Sequence, residues 1–368
     1  METGSSGLSL ETALRAHTRR RDELRRPAAE PGALHCVACA HRCLIRPGRA
    51  GICRIRFNDR GALQVPWGWV AGGLAADPIE KKPFFHVRPG SRALSFGLLG
   101  CDMHCGYCQN WITSQAPRES SDPAKIVPMA PDQIASMASR HGCAAVVSTY
   151  NEPLISAEWA ADVFDLCRER GMLTGMVSNG NGTAEALEFL APRLDMVKID
   201  LKSFQDRVYR RLGAVLDNVL ETIRRVHDIG LWLEVVTLVV PGLNDSSGEL
   251  GKIAEFLVAI SPDIPWHVTA FHPDYRMTDR GATSPSHLLR AVDAGRRAGL
   301  RYVYTGNLPG RTGAESTVCP ACETLLIERH GLTVLRRHLV EGACPTCGTP
   351  IPGLWASGDS GRSSSSHS

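Results

Sequence analysis

The run Leu98-Leu99-Gly100-Cys101-Asp102-Met103-His104-Cys105-Gly106-Tyr107-Cys108-Gln109-Asn110-Trp111 ends an apolar, strand-like segment with three cysteines in CxxxCxxC spacing. Three thiolates this close can hold a cubane iron–sulfur cluster and leave one iron open to a further ligand. A fourth would fill the last iron and leave mainly electron transfer. The open corner therefore predicts catalysis. Zinc ligation or buried free thiols are the plainer alternatives for three neighbouring cysteines.

Outward from this loop, the chain alternates strand-like and helix-like segments. Apolar, β-branched-rich runs fall at residues 93–100, 144–150, 173–177, 196–201, 231–240, 266–271 and 301–305. Amphipathic stretches separate them at 131–141, 155–170, 183–191, 215–229, 246–260 and 286–298, several opened by Ser, Thr, Asp or Pro and closed by Gly. Continuous apolar strands in a βαβα succession imply a parallel sheet covered by helices. The fold class is α/β, and six or seven units point to a partial TIM-like (βα)6 barrel. The polar residues support a barrel, because they gather where strands end: Cys101, then Tyr150-Asn151-Glu152-Pro153, Ser178-Asn179-Gly180, Asp200 and Lys202, Pro241 to Asp245, and His272.

The CxxxCxxC loop, with Tyr107 before its third cysteine, resembles the signature of the radical S-adenosylmethionine (radical SAM) enzymes. Further runs narrow the likeness: DPIEKKPFFHVRPGS (77–91), TYNEP (149–153), KIDLKSF (198–204), VVPGLND (239–245), FHPDYRMTD (271–279), YVYTGNLPG (302–310) and the final paired CPxC turns. Together they resemble the radical SAM component of the AmmeMemoRadiSam system, related to the pyruvate formate-lyase activating enzymes, over residues 34–355. The sequence departs at Phe84-Phe85, where an aliphatic–aromatic pair is common, and in both end segments, which the likeness leaves uncovered.

The resemblance implies a [4Fe-4S] cluster on Cys101, Cys105 and Cys108, and S-adenosyl-L-methionine held by the strand-end residues. Glu152 would pair with the cofactor's amino group, Asn151 and Ser178 would bond its amino-acid end or ribose, and Asn179 with Gly180 would let backbone approach closely. Lys202 would pair with its carboxylate, and Asp200 would orient Lys202 or hold a cation. Tyr107 and His272 complete the cofactor-binding set, with a hydrogen-bonded structural role open for His272. Taken singly, each of these residues also reads as a loop cap or turn former. The resemblance further implies a reduced electron donor such as ferredoxin or flavodoxin, and company with AMMECR1-like and Memo-like proteins.

The other cysteines sort into two groups and two leftovers. Cys36, Cys39, Cys43 and Cys53 form C-x2-C-x3-C-x9-C near the start, with His35 and His41 as alternative ligands. Four thiolates there suit zinc or an auxiliary iron–sulfur cluster, and spacing does not separate the two; metal-free cysteines are the remaining alternative. Cys319, Cys322, Cys344 and Cys347 make two CPxC knuckles around 21 intervening residues, as in a zinc ribbon or rubredoxin-like module, with a hairpin turn at His330-Gly331. Zinc is expected ahead of iron, serving substrate docking, closure of the barrel mouth or stability. Cys143 and Cys167 sit in or beside apolar segments and read as buried structural thiols.

At 368 residues, 43% hydrophobic, 21% charged and a net charge of +3, the chain suits one large domain with small appendages, and the charge does not indicate nucleic acid. The expected order is a basic N-terminal arm (1–33), an N-terminal cysteine-rich module (34–85), the barrel (86–312), a C-terminal zinc-ribbon-like module (313–356) and a disordered Ser-rich tail (357–368). The apolar stretch at 231–240, interrupted by Glu234, is too short to cross a membrane. No secretory signal is visible, which predicts a reducing cytoplasm where clustered cysteines bind metal or catalyse. Three functions follow: a radical enzyme with an unknown substrate, a glycyl-radical enzyme activase, or a non-catalytic metal-binding redox scaffold.

Overall fold

The computed structural model describes residues 9–71, 74–120 and 125–355; the Ser-rich segment expected to be disordered lies outside them. Seven parallel strands stand in chain order in one sheet: β1 (Arg92–Phe96), β2 (Ala145–Ser148), β3 (Leu173–Ser178), β4 (Met196–Asp200), β5 (Trp232–Val239), β6 (Trp266–Ala270) and β7 (Val303–Gly306). Each pairs in parallel with the next. Strand Ala75–Pro78 joins β1 antiparallel, and this outer strand does not pair with β7, so the barrel stays open.

Six crossovers carry the helices α1 (Pro131–Arg140), α2 (Ala157–Arg168), α3 (Ala184–Leu190), α4 (Asp206–Leu212), α5 (Leu216–Asp228), α6 (Ser247–Ile260) and α7 (Pro285–Ala298). Caps fix where they start and stop. Thr183 accepts from Ala186 N and Ser246 from Glu249 N, while Gly299 ends α7 at φ 106°, a conformation that costs glycine little. Helix α4 carries no signal strong enough for the sequence reading to find it, and it shares one crossover with α5.

The segment at 79–87 plugs the floor of the barrel, the end where strands begin. Ile79, Phe84 and Val87 pack with Ala93, Ala145, Val147 and Met196. A buried carboxylate anchors the plug. Glu234 accepts from Phe85 N at 3.0 Å, His86 N at 2.9 Å and Trp232 Nε1 at 3.0 Å, and lies 2.6 Å from His267 Nε2. Burial works against its charge, but His267 and the other donors outweigh that and hold its carboxyl below the usual range.

The basic segment, expected to be a solvated helix or arm, does begin with a helix but is packed onto the molecule rather than solvated. Helix Leu10–Ala16 leads into strand Thr18–Arg20, which pairs with Ala62–Pro66, and strand Arg25–Pro27 pairs with Leu34–Cys36. The physical reason is that Leu10, Leu14 and Leu24 are buried, while the arginines turn outward to partners such as Asp162, 2.9 Å from Arg21. A buried ion pair fastens this module to α2: Arg56 reaches both carboxylate oxygens of Glu158 at 2.7 Å.

The C-terminal module is a three-stranded antiparallel sheet, Thr317–Val318, Leu325–His330 and Thr333–Arg337. It packs through Leu326, Ile327 and Leu339 on Phe85, Tyr302 and Tyr304. Leu354 N donates to His86 O at 2.8 Å, and Arg329 Nη2 donates to Phe85 O at 2.7 Å. These contacts lie on the barrel floor. The module therefore does not close the mouth, one of the roles the sequence left open for it. Among the described residues, no helix is long and apolar enough to cross a membrane.

Candidate active site

Strand β1 delivers the three-cysteine loop to the barrel mouth through a tight passage. At Gly97 a Cβ would meet Thr149 O at 2.2 Å, so only glycine fits there. Cys105 is buried, and Cys101 and Cys108 are half-buried. All three line one cavity together with Asn151, Glu152, Ser178, Asn179, Asp200 and Lys202.

Donors converge on the sulfurs. Met103 N lies 3.4 Å and Asn179 Nδ2 3.7 Å from Cys101 Sγ, and Ser114 Oγ is 3.2 Å from Cys108 Sγ. Burial pushes the Cys105 thiol up to about 12 and raises Cys101 well above its ordinary value, so occupancy by metal would release protons. The central and C-terminal cysteine groups differ in how closely their sulfurs gather. Around one tetrahedral zinc, with Zn–S of about 2.3 Å, sulfurs stand about 3.8 Å apart. Among the described residues, only the C-terminal cysteines form a set of three or more ligand atoms all within 4.8 Å of one another. The central trio is not gathered in this way.

Behind the loop lies a buried polar web. Glu152 accepts from Leu154 N at 3.1 Å and Ser178 Oγ at 2.7 Å through Oε1, and from Asn179 N at 2.7 Å through Oε2. Asp102, fully buried, accepts from Asn179 Nδ2 at 2.7 Å and Asn181 Nδ2 at 2.8 Å. Asn151 takes Leu98 N at 2.9 Å and so pins the end of β1. The loops after β1, β2 and β3 are thereby fixed to one another.

Burial, reinforced by Asp102, pushes the Glu152 carboxyl up to about 8 against the pull of its three donors. Between its ordinary value of 4.5 and about 8 the folded chain holds a proton that the unfolded chain has lost. The stability this contributes is complete below the lower value and disappears as pH rises through the upper one. In thermal melts of the metal-free protein, Glu152→Gln should therefore gain on the native chain between pH 5 and pH 9. Parallel curves would refute the assignment.

Strand alternation puts Lys198, Asp200 and Lys202 on one face of β4 and its continuation. Asp200 bonds Lys198 Nζ and, at 3.0 Å, Lys202 Nζ. Burial opposes its charge, but the two ammonium groups outweigh this and hold its carboxyl below the usual range. Burial likewise disfavours charge on Lys202, yet Asp200, Cys105 and Tyr107 keep it protonated well above its ordinary value. The cavity thus keeps a fixed cation beside the cysteine loop.

Two expected residues are not brought to this cavity. Tyr107 is buried near Cys105, Lys202 and Tyr209 but is not among the residues that line the cavity, and its ring packs with the core. His272 is exposed, with Nδ1 3.4 Å from Pro273 O, because the turn after β6 swings its ring outward. The rest of that turn does reach the site: Arg276 N donates to Gly106 O at 3.0 Å and Tyr275 stacks on Trp111 with centroids 5.2 Å apart. Asp102, Asn181, Lys198, Ser114 and Arg118 are site residues the sequence reading missed. Asp102 carried a signal in its place inside the cysteine run, and Lys198 in its alternation with Asp200 and Lys202.

The C-terminal cysteines form a compact set fit for a metal ion. Cys319 and Cys347 sulfurs are 3.6 Å apart, as are those of Cys322 and Cys344. Hydrogen bonds from Thr349 hold the Cys347 thiol down to about 6, a ready thiolate. Of the alternative N-terminal ligands, His35 Nδ1 lies 3.3 Å from Arg42 O, and His41 Nε2 is buried without a partner. Cys143 and Cys167 are buried.

Comparison with known proteins agrees with this geometry. Residues 98–257, from the cysteine loop to α6, match the Radical SAM superfamily. The uncharacterized protein MJ0808 of Methanocaldococcus jannaschii is 37% identical over 322 residues, 86% of this chain and 95% of that protein. The chain therefore carries a radical SAM domain and belongs to one family with that archaeal protein. The pyruvate formate-lyase-activating enzyme of Clostridium pasteurianum is 25% identical over 208 residues, 52% of this chain and 84% of that enzyme. A crystallised domain of the pyruvate-formate lyase-activating enzyme from Bacteroides vulgatus aligns with a TM-score of 0.39 at 20% identity, covering 44% of this chain and 99% of that domain.

Proposed function

We propose that this chain reductively cleaves S-adenosylmethionine, with a [4Fe-4S] cluster on Cys101, Cys105 and Cys108, and abstracts hydrogen from a substrate bound at the barrel mouth. The observation that carries this reading is the single cavity shared by three thiols and the strand-end polar residues. Held by Cys101, Cys105 and Cys108, the cluster would supply the electron for reductive cleavage of the sulfonium.

The chain's own residues have separable tasks. Lys202, tethered by Asp200, pairs with the cofactor's carboxylate. On giving up its proton, Glu152 offers one acceptor position on Oε2 to the cofactor's ammonium group, the other oxygen being saturated by Leu154 and Ser178. Asn179 links Cys101 to Glu152, so the cysteine loop and the amino-acid pocket move as one. The hydrophobic plug of Phe84 and Val87 seals the floor and keeps water from entering there. The turn carrying Tyr275 and Arg276 walls the mouth against the cysteine loop.

The quoted motifs support membership of the AmmeMemoRadiSam system, with AMMECR1-like and Memo-like partners and a ferredoxin- or flavodoxin-class donor. A cytoplasmic setting suits thirteen cysteines that form no disulfide. The test of the main reading is anaerobic reconstitution followed by dithionite and S-adenosylmethionine. Formation of 5′-deoxyadenosine is expected; its absence from cluster-loaded protein refutes the proposal and revives the redox scaffold. A glycyl-radical activase is a second reading, supported by the named activating enzymes among the relatives, and a protein-borne glycyl radical in a partner would establish it.

At the C-terminal cysteines the ion is zinc, as structural tetrahedral thiolate sites usually are. Replacing Cys344 by serine should lower zinc by about one equivalent per chain. Undiminished zinc would place the ion elsewhere.

A further inference from the structure

Cys36, Cys39, Cys43 and Cys53 lie in a fold of their own against the active-site loop. Cys36 N donates to Cys43 O at 2.9 Å across a short antiparallel pair, Cys39 sits in the connecting turn, and Ile52 N returns to Cys43 Sγ at 3.5 Å, carrying Cys53 back over the hairpin. Cys36, Cys39 and Cys53 are buried. A fully buried cation is aimed at this group: Arg56 Nε lies 3.2 Å from Cys36 Sγ, while its other nitrogens are held by Glu158. A neutral thiol gives a buried guanidinium little in return; an anionic sulfur satisfies it.

Two further observations say what binds and where. No three of these sulfurs lie within 4.8 Å of one another, in contrast to the C-terminal set, so the group is wider than a single tetrahedral ion allows. The group is also built into the active-site loop. Arg118 Nη2 donates to Ile52 O at 3.1 Å and to Cys101 O at 2.8 Å, bridging the two cysteine groups. Ala40 N donates to Asn181 O at 2.9 Å, and Asn181 in turn holds Asp102. Gly100 leaves no room between them, since a Cβ there would stand 3.2 Å from Cys53 O.

We infer that Cys36, Cys39, Cys43 and Cys53 hold a second iron–sulfur cluster, set in the wall between the N-terminal module and the Cys101–Cys108 loop, with Arg56 Nε donating to its Cys36 thiolate. The inference goes beyond the proposed reaction and stands on its own residues. Full-length protein reconstituted with iron and sulfide under anaerobic conditions tests it by iron, sulfide and zinc analysis with Mössbauer spectroscopy. The native chain should hold about eight irons, and a Cys101→Ala/Cys105→Ala/Cys108→Ala variant should keep about four, with a cubane spectrum. Cys36→Ala/Cys39→Ala should lose about half the iron with zinc unchanged. Iron-free protein from the central triple variant would overturn the inference, as would a second zinc equivalent that disappears in Cys36→Ala/Cys39→Ala. If that double variant does not fold, the central triple variant decides alone, because it leaves all four N-terminal thiols in place. Absence of 5′-deoxyadenosine from native protein would count against the proposed reaction without touching this result.

Discussion

Replacing Cys105 by alanine should reduce 5′-deoxyadenosine formation to background, a loss greater than the roughly 10–100-fold typical of removing a residue that merely supports a metal ligand. Cys105 is the buried member of the trio and the one beside Lys202, so its loss removes a cluster ligand at the innermost point of the cavity. Alanine at Cys143, a buried thiol outside the cavity, should keep full activity. Product analysis after a fixed incubation decides the matter. Equal yields from the Cys105→Ala and native proteins would show that the electron enters elsewhere.

The second large effect concerns the floor of the barrel. Glu234→Leu removes the acceptor shared by Phe85 N, His86 N and Trp232 Nε1 and strands the imidazole of His267. Breaking a buried charge-assisted network from one side costs about 3–5 kcal/mol. At about 2–4 °C per kcal/mol for a large domain, the melting temperature should fall by roughly 10 °C. Glu234→Gln, which keeps one oxygen acceptor, should fall less. A melting temperature unchanged in Glu234→Leu would mean that the plug is held by apolar packing alone.

The sequence announced the scaffold where the signal is local. Strands β1 to β7 and most helices carry their own periodicity and caps, and their ends fall within a few residues of where burial places them. Strand Ala75–Pro78 escaped notice because four residues ending in proline show no alternation. The N-terminal segment was misread because its arginines dominate composition, whereas Leu10, Leu14 and Leu24, too far apart to form a run, decide its burial.

The site was legible in part for the same reason. Cysteines and strand-end polar residues declare themselves by spacing, but Asn181, Arg118 and Glu234 also bond neighbours 79, 66 and 149 residues away, which spacing does not reveal. His272 and Tyr107 show the converse. Both occupy the expected stretch of chain, yet neither is among the residues that line the cavity.

The plug at 79–87 is made early in synthesis, whereas its partners Tyr304, Arg329 and Leu354 emerge last from the ribosome. Until they arrive, the Phe85 carbonyl and the His86 ring lack their lids, although the N-terminal and central cysteines have already been translated. Closure of the base thus depends on chain that follows the plug by more than 200 residues, so a truncation that removes the C-terminal module would leave the barrel bottom open while keeping the mouth residues.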